Sequence, residues 1–94
     1  MRLLAEQTYY KVIREVSSIR QQDTEKKRTM YLYDEKIVRE YREFSLNDVM
    51  DISFKPVGKH GGLLYLHTLK GVFPYIVKTS PTGFVEAYME VRKG

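Results

Sequence analysis

Short alternating apolar runs, separated by turn-forming residues, most strongly constrain how this chain folds. From position 29 onward aromatic and β-branched residues alternate with polar ones, and turn-forming residues cluster at 56–62, 70–71 and 80–83. A period of two places successive side chains on opposite faces of a strand, and closely spaced turns join antiparallel strands. The pattern therefore predicts a mainly β, α+β fold with an antiparallel sheet rather than a bundle of helices.

The alternation predicts five strands between residues 29 and 79. They are expected at residues 28–33, 36–42, 48–55, 63–68 and 72–77. Asp34, Glu35 and Lys36 lie between two apolar runs and predict a tight hairpin turn. Two alternating sets are expected along the third strand: Met50, Ile52 and Phe54 facing the core, with Val49, Asp51 and Ser53 on the other side.

The sequence after the last strand predicts a C-terminal helix over residues 80–93. Apolar side chains recur there about once per helical turn, at Phe84, Val85, Tyr88 and Val91, and such a stripe is typical of a helix packed on a core. Ser80 or Thr82 is suited to cap its first turn, because a hydroxyl oxygen accepts from free backbone N–H groups. We expect this helix to cover an open end of the sheet.

The first 28 residues allow two interpretations. Tyr9, Val12, Ile13, Val16 and Ile19 fit one face of a helix, but the β-branched residues among them also fit a strand. The strand is slightly favoured for residues 7–19, although the alternation does not decide the question. Residues 21–28 are polar throughout and are predicted to form a loop.

Length and composition limit the chain to one domain over residues 1–94. A chain of this size buries a modest fraction of its surface, so formation of a homodimer would add useful burial. No cysteine is present, which excludes disulfides and thiolate metal sites and is compatible with a reducing compartment. No apolar run reaches the length of a membrane span. We expect a cytoplasmic protein, with peripheral membrane attachment as an option.

The order of predicted elements from residue 29 to residue 93 resembles that of bacterial pleckstrin-homology-like domains of small proteins. The phrases that carry the resemblance are a strand hairpin over residues 30–42, Leu46-Asn47-Asp48-Val49, Gly62-Leu63-Leu64, Lys70-Gly71, an aromatic strand over residues 73–77, and Ser80-Pro81 followed by Phe84. The resemblance implies an antiparallel PH-like β-barrel or sheet capped by one C-terminal helix. It implies no particular ligand, because one fold serves many functions.

A basic segment is the first candidate site. No acidic residue occurs between Asp51 and Glu86, and lysines on one face would create a local positive field. The candidate anion-binding residues are Lys55, Lys59, His60, Gly61, Lys70 and Lys78. The glycines at 61 and 62 can let backbone amides approach an anion, but they are equally suited to a plain hairpin connection.

A tyrosine-rich sheet face is the second candidate site. Tyrosine is enriched at protein interfaces because its ring is apolar and its hydroxyl is polar, although cross-strand packing also accounts for tyrosines in a sheet. The candidate partner-binding residues are Tyr31, Tyr33, Tyr41, Tyr65 and Pro74. Pro74 cannot donate to a strand ladder and predicts an edge or a bulge in the last strand. The basic run at residues 26–28 is expected in a solvated loop, where it could also touch phosphates.

Residues suited to catalysis or metal binding are sparse in this sequence. His60 and His67 lack a clustered third ligand, and Asp48 and Asp51 are expected to face solvent. We therefore expect no enzyme, cofactor, metal site or small-molecule substrate. The leading hypothesis is a binding or scaffolding module that engages a protein partner or a second copy of the chain. The alternative is a binder of anionic lipid headgroups or nucleic acid through the segment from Lys55 to Lys78.

Overall fold

Antiparallel strands followed by a C-terminal helix make up the protein. A computed structural model describes residues 2–16 and 21–93. Their elements are β1 Leu3–Val16, β2 Gln21–Tyr33, β3 Lys36–Arg39, β4 Arg42–Ser45, a 3-10 turn Leu46–Asp48, β5 Val49–Pro56, β6 Gly62–Thr68, β7 Gly71–Val77 and α1 Thr82–Lys93. The described chain is thus mainly β, and the predicted α+β class is confirmed.

The sheet consists of two meanders that meet at one place. Strand order is β4-β3-β2-β1-β7-β6-β5, and every neighbouring pair is antiparallel. β1 and β2 pair along nearly their whole length, whereas β1 and β7 pair only where Tyr10 lies opposite Ile76 in the described residues. β4 and β5 remain the two ends of the strand order, so the sheet does not close into a barrel.

The hydrophobic core lies between the inward faces of the two meanders. The Phe44 ring on β4 lies 5.2 Å from the Phe73 ring on β7, although three strands separate β4 from β7 in the sheet. The sheet must therefore bend until its two halves face each other. Its most deeply buried apolar side chains are Met30, Leu32, Ile37, Val49, Leu64, Leu66, Val77, Phe84 and Tyr88. Helix α1 contributes the last two and covers the open end, as predicted.

The polar segment at residues 21–28, predicted as a loop, belongs instead to β2. Lys27 and Arg28 lie opposite Tyr10 and Tyr9 in a ladder that continues to Val16 opposite Gln21. This polar segment is held as a strand because its backbone pairs with β1 along the whole ladder. The strand interpretation of the N-terminal region is confirmed to Val16, and residues 17–19 lie outside the described part of the chain.

One predicted strand, at residues 36–42, is divided in two. β3 ends at Arg39, the chain turns at Glu40 and Tyr41, and β4 begins at Arg42. Glu40 has a φ of 40°, which non-glycine residues rarely adopt. Its carboxylate lies 3.4 Å from Arg28 and 3.8 Å from Lys11. These ionic contacts accompany a turn that no glycine, proline or asparagine signals.

A bulge reverses one pair of side chains on β5. The register with β6 shifts between Val49 and Asp51, so Val49 is fully buried and Met50 is 55% exposed. The prediction that Met50 faces the core and Val49 does not is therefore wrong. Ile52 lies beyond the bulge and is buried as expected. The inserted residue reverses which side chains face the core before the bulge and leaves those after it unchanged.

Tyr88 joins helix α1 to the start of β5. Its side chain is 1% exposed, and its hydroxyl donates a hydrogen bond of 2.9 Å to the backbone oxygen of Val49. Burial raises the pKa of Tyr88 above its ordinary value of 10.0, partly opposed by the positive charge of Arg92. The folded protein therefore holds the proton of Tyr88 more tightly than the unfolded chain does.

We expect Tyr88→Phe to lower the free energy of unfolding at neutral pH by about 1 kcal/mol, because the Val49 carbonyl loses its donor. A raised pKa stabilises the fold fully below the ordinary tyrosine pKa, and that stabilisation is lost as pH rises through the folded value. Urea unfolding followed from neutral to strongly alkaline pH should therefore show a shallower alkaline loss of stability for Tyr88→Phe. Identical pH dependence in the two proteins would contradict this role of Tyr88.

Candidate binding cleft between strands β1 and β7

Pro74 lies where strands β1 and β7 part. In the continuous ladder between β6 and β7 it lies opposite Tyr65. Proline has no N–H group to donate to β6. Pro74 therefore occupies a position in the ladder where the backbone nitrogen points away from β6 and toward β1. β7 lies inside the strand order, so it is not the terminal strand that an edge prediction would imply. Its side toward β1 is nevertheless edge-like, because Tyr10 opposite Ile76 is the sole pair there among the described residues.

A cleft of about 620 Å³ opens beside this junction. Its lining residues are Tyr9, Tyr10, Lys11, Val12, Arg39, Leu63, Tyr65, Pro74, Tyr75 and Ile76. Val12 and Ile76 are large apolar side chains that are 46% and 36% exposed. The volume falls in the range of small-ligand sites, which are typically apolar with a few polar groups. The cleft is therefore a candidate binding site.

Arg39 and Tyr75 form the polar end of the cleft. Arg39 Nε donates a hydrogen bond of 2.8 Å to the hydroxyl of Tyr75, and the guanidinium carbon lies 5.4 Å from the centre of that ring. Burial lowers the pKa of Arg39, but the Tyr75 and Tyr9 hydroxyls raise it by more, so the guanidinium stays charged. Burial raises the pKa of Tyr75, although Arg39 opposes it, so the phenol is neutral. This end of the cleft therefore presents a fixed positive charge.

Tyr9 places a buried hydroxyl at the same end. Its side chain is 2% exposed, and its ring meets the edge of the Tyr75 ring at 5.1 Å. The Tyr9 hydroxyl has no hydrogen-bond partner in the described residues. It lies close enough to Arg39 to raise the pKa of the guanidinium, although the two groups do not form a hydrogen bond of good geometry. A buried hydroxyl without a partner costs free energy, so this group is well placed to meet a bound acceptor.

Further cations surround the polar end. Lys11 lines the cleft and lies 3.8 Å from Glu40, which also contacts Arg28. Arg42 lies opposite Arg39 on β4, outside the cleft, with its guanidinium 4.4 Å from the centre of the Phe73 ring. Lys11 and Arg28 thus share one carboxylate, and neither Arg39 nor Arg42 forms an ion pair among the described residues, so the local charge is positive.

The candidate tyrosines do not share one surface. Tyr31 and Tyr33 lie on β2 and alternate with the buried Met30 and Leu32, so they face away from the core. Tyr65 faces outward from the other half of the sheet, and the two outward faces point apart because the inward ones meet. Tyr41 is 97% exposed in the turn between β3 and β4. Of the candidate partner-binding residues, Tyr65 and Pro74 line the cleft.

The candidate anion-binding residues are brought together only in part: His60 and Lys78 line one small pocket beside the connection between β5 and β6, whereas Lys70 lies elsewhere. Lys59, His60 and Gly61 lie in the connection between β5 and β6, and Lys55 precedes it near the end of β5. Lys70 lies in the turn at the other end of β6, about 20 Å away along a strand of this length. Lys78 lies near that connection, but its Nζ bonds Glu25 at 2.8 Å and covers the Tyr10 ring at 4.3 Å.

The two histidines lie apart, His67 on β6 and His60 in the connection before it. His67 Nε2 lies 2.7 Å from the hydroxyl of Ser53, and His60 is exposed in its loop. Asp48 and Asp51 are exposed, as expected. Among the residues whose side chains the structure describes, 2–12 and 25–93, no three form a group that could hold a metal ion. No described helix is both long and apolar enough to cross a membrane.

Sequence reasoning missed the polar end of the cleft. Arg39 lies on the same face of β3 as Ile37, so the alternation placed a cation on the inward side of the strand. That position was a usable signal for a polar group at the core. Tyr9 and Tyr75 carried no such signal, because their contact depends on how β1 crosses β7.

No family model, curated protein or solved structure matches the chain.

Gly61 is explained by close packing of the connection against β7. Its φ is 79°, and a Cβ atom there would overlap the backbone oxygen of Val77. Gly58 has a similar φ of 73°, but its space is open. The two positions therefore separate backbone strain from steric overlap.

We expect Gly61→Ala to lower the free energy of unfolding by more than about 2 kcal/mol, because it adds overlap to an unfavourable φ. Gly58→Ala should cost about 1 kcal/mol from the φ alone. Chemical denaturation of both variants measures the difference. Equal losses would show that the connection does not pack against β7 as described.

The two tyrosines of the polar end should respond oppositely to loss of their hydroxyls. Tyr75→Phe removes a hydrogen bond to a charged group and should cost about 1–2 kcal/mol. Tyr9→Phe removes a buried hydroxyl that has no described partner, so the free energy of unfolding should stay unchanged or increase. Urea unfolding of both variants checks this, and a loss for Tyr9→Phe as large as that for Tyr75→Phe would contradict it.

Proposed function

We propose that this chain is a non-enzymatic binding module that engages a protein partner through the cleft between β1 and β7. The observation that carries the proposal is the parting of these strands beyond a single residue pair, beside an apolar cleft of about 620 Å³. An extended segment of the partner would lie along the opening.

Exposed strand edges are suited to this mode of binding. Backbone N–H and C=O groups of β1 and β7 that face each other beyond Tyr10 and Ile76 form no strand pair in the described residues. An added strand can satisfy such groups, while its alternate side chains enter neighbouring pockets. Tyr65 and Tyr10 supply aromatic surface of the kind enriched in interfaces.

The chemistry of the lining favours recognition over catalysis. General acid-base and nucleophilic chemistry most often uses His, Asp, Glu, Ser or Cys, and a lysine or tyrosine serves where its surroundings bring its pKa toward the working pH. The described residues that line the cleft supply lysine, arginine, tyrosine and apolar side chains. They can hold and orient a ligand, and we propose no reaction for them.

The order of the elements also supports the proposal of a PH-like domain. A hairpin, the strand β5, the Gly-Leu-Leu strand β6, a Lys-Gly turn, the aromatic strand β7 and helix α1 follow one another as that resemblance implies. A cysteine-free chain is compatible with the cytoplasm, where we propose that it acts. Neither point selects a ligand, so the proposed function rests on the cleft.

Binding of anionic lipid or nucleic acid through the segment from Lys55 to Lys78 receives less support. Lys70 lies at the far end of β6, and Lys78 is paired with Glu25. Lys55 and Lys59 are therefore the lysines of the segment that lie near one connection without an ion pair in the described residues.

A displayed library of random linear peptides tests the proposed function. Peptides enriched on the wild-type protein should bind at least tenfold more weakly to Ile76→Arg, because the substitution places a charged side chain in the apolar opening. The matched control is Leu69→Arg, at a residue that is 67% exposed in the turn between β6 and β7. Binding affinities are measured by calorimetry, after unfolding curves show that both variants fold.

Two results would overturn the proposed function. One is a library that yields no binding peptide. The other is a set of peptides whose affinity falls equally in Ile76→Arg and Leu69→Arg. If the wild-type chain instead forms a dimer that Ile76→Arg dissociates in size-exclusion chromatography, the partner at the cleft is a second copy of the chain.

A further inference from the structure

We propose that the segment bound in the cleft carries a carboxylate, which Arg39 binds at the polar end of the cleft, beside the buried Tyr9 hydroxyl. The inference rests on the proposed function and adds a chemical class of ligand to it. The carboxylate belongs to an Asp or Glu side chain of the partner or to the C-terminus of its chain, and the apolar remainder of the segment lies against Val12, Tyr65 and Ile76.

The charge of the lining favours an anionic ligand. Lys11 and Arg39 are the charged side chains among the residues that line the cleft. The neighbouring Glu40 does not line it and is shared between Lys11 and Arg28, at distances of 3.8 and 3.4 Å. An apolar segment without charge would leave Arg39 partly desolvated and uncompensated, whereas a carboxylate would compensate it.

Arg39 is oriented before any ligand arrives. Its Nε donates a hydrogen bond of 2.8 Å to the Tyr75 hydroxyl, and its guanidinium carbon lies 5.4 Å from the centre of the Tyr75 ring in a cation–π contact. Within the described part of the chain its two terminal nitrogens form no ion pair and no hydrogen bond of good geometry, although the Tyr9 hydroxyl lies close enough to raise the pKa of Arg39. A guanidinium so held can give parallel N–H groups to both oxygens of a carboxylate, with little further loss of side-chain freedom.

Tyr9 is a second and independent observation. Its hydroxyl is buried, has no partner in the described residues, and belongs to a residue that lines the same cleft as Arg39. The hydroxyl oxygen is covered by neighbouring atoms in the free protein, so a carboxylate held by Arg39 accepts from it once those atoms move aside. Binding would then satisfy a donor that the free protein leaves unsatisfied, which favours the complex.

The ligand experiment compares carboxylate and amide forms of the peptides that bind the cleft. Each enriched peptide is made with its acidic residues intact, with Asp or Glu replaced by Asn or Gln, and with its C-terminus amidated. In the wild-type protein one replacement, either the side-chain or the C-terminal one, should weaken binding at least tenfold, and this identifies the source of the carboxylate. Raised salt should also weaken the acidic form more than its amide form.

The protein variants assign that loss to particular residues. In Arg39→Gln the acidic and amide peptides should bind within about twofold of each other, because the group that distinguishes them is gone. Arg42→Gln removes the same charge directly across the strand pair but outside the cleft, and should keep the preference for the acidic form. Tyr9→Phe should weaken the acidic peptide several-fold. Arg39→Lys keeps the positive charge but lacks the paired N–H groups of the guanidinium. Its affinity for the acidic peptide should therefore lie between those of the wild-type protein and Arg39→Gln.

Several outcomes would overturn the inference. Amide peptides that bind the wild-type protein as tightly as acidic ones, while remaining sensitive to Ile76→Arg, would leave the proposed function standing and remove the carboxylate. Equal losses of affinity for the acidic peptide in Arg39→Gln and Arg42→Gln would show that the overall positive charge, rather than a site at Arg39, attracts the carboxylate. Decanoate is tested as a fatty acid with the same carboxylate. If it binds the cleft more tightly than every selected peptide, the ligand is a fatty acid rather than a peptide. A library without binders would overturn both proposals.

Discussion

The missing N–H of Pro74 is the constraint on which the arrangement of the two meanders depends. A residue that cannot donate toward β1 interrupts any extension of the β1–β7 ladder past Ile76. In the described part of the chain the four-stranded and three-stranded meanders are therefore joined at one residue pair, and they can fold toward each other. Their inward faces build the core, and the place where they separate becomes the cleft.

Sequence patterns anticipated the fold best where alternation and turns agree. β6, β7 and the stripe on α1 follow directly from apolar periodicity and from the breakers between them. The errors occur where pairing partners override local preference. Residues 21–28 are polar but are held as a strand by β1, Glu40 turns the chain without a usual turn residue, and an inserted residue on β5 exchanges the facing of Val49 and Met50. Each of these depends on a neighbouring strand rather than on the segment itself.

The candidate site was predictable only in part, for a related reason. Pro74 and Tyr65 could be named because one interrupts a ladder and the other is aromatic on a solvent-facing side. Arg39, Tyr9 and Tyr75 come from three separate strands and meet only when the sheet bends. Their energetic relation is also tertiary: one hydroxyl fixes the guanidinium, while the other remains buried without a described partner. No local pattern encodes that difference.

The most direct test of the central claim is a titration of isotopically labelled protein with a cleft-selected peptide, followed by amide chemical shifts in NMR spectra. The account predicts the largest shift changes for β1 around Tyr10 and for the residues of β7 that flank Pro74, together with slower amide exchange along both strand edges. Changes concentrated in the connection at residues 57–61 or in helix α1, with β1 and β7 unaffected, would contradict it.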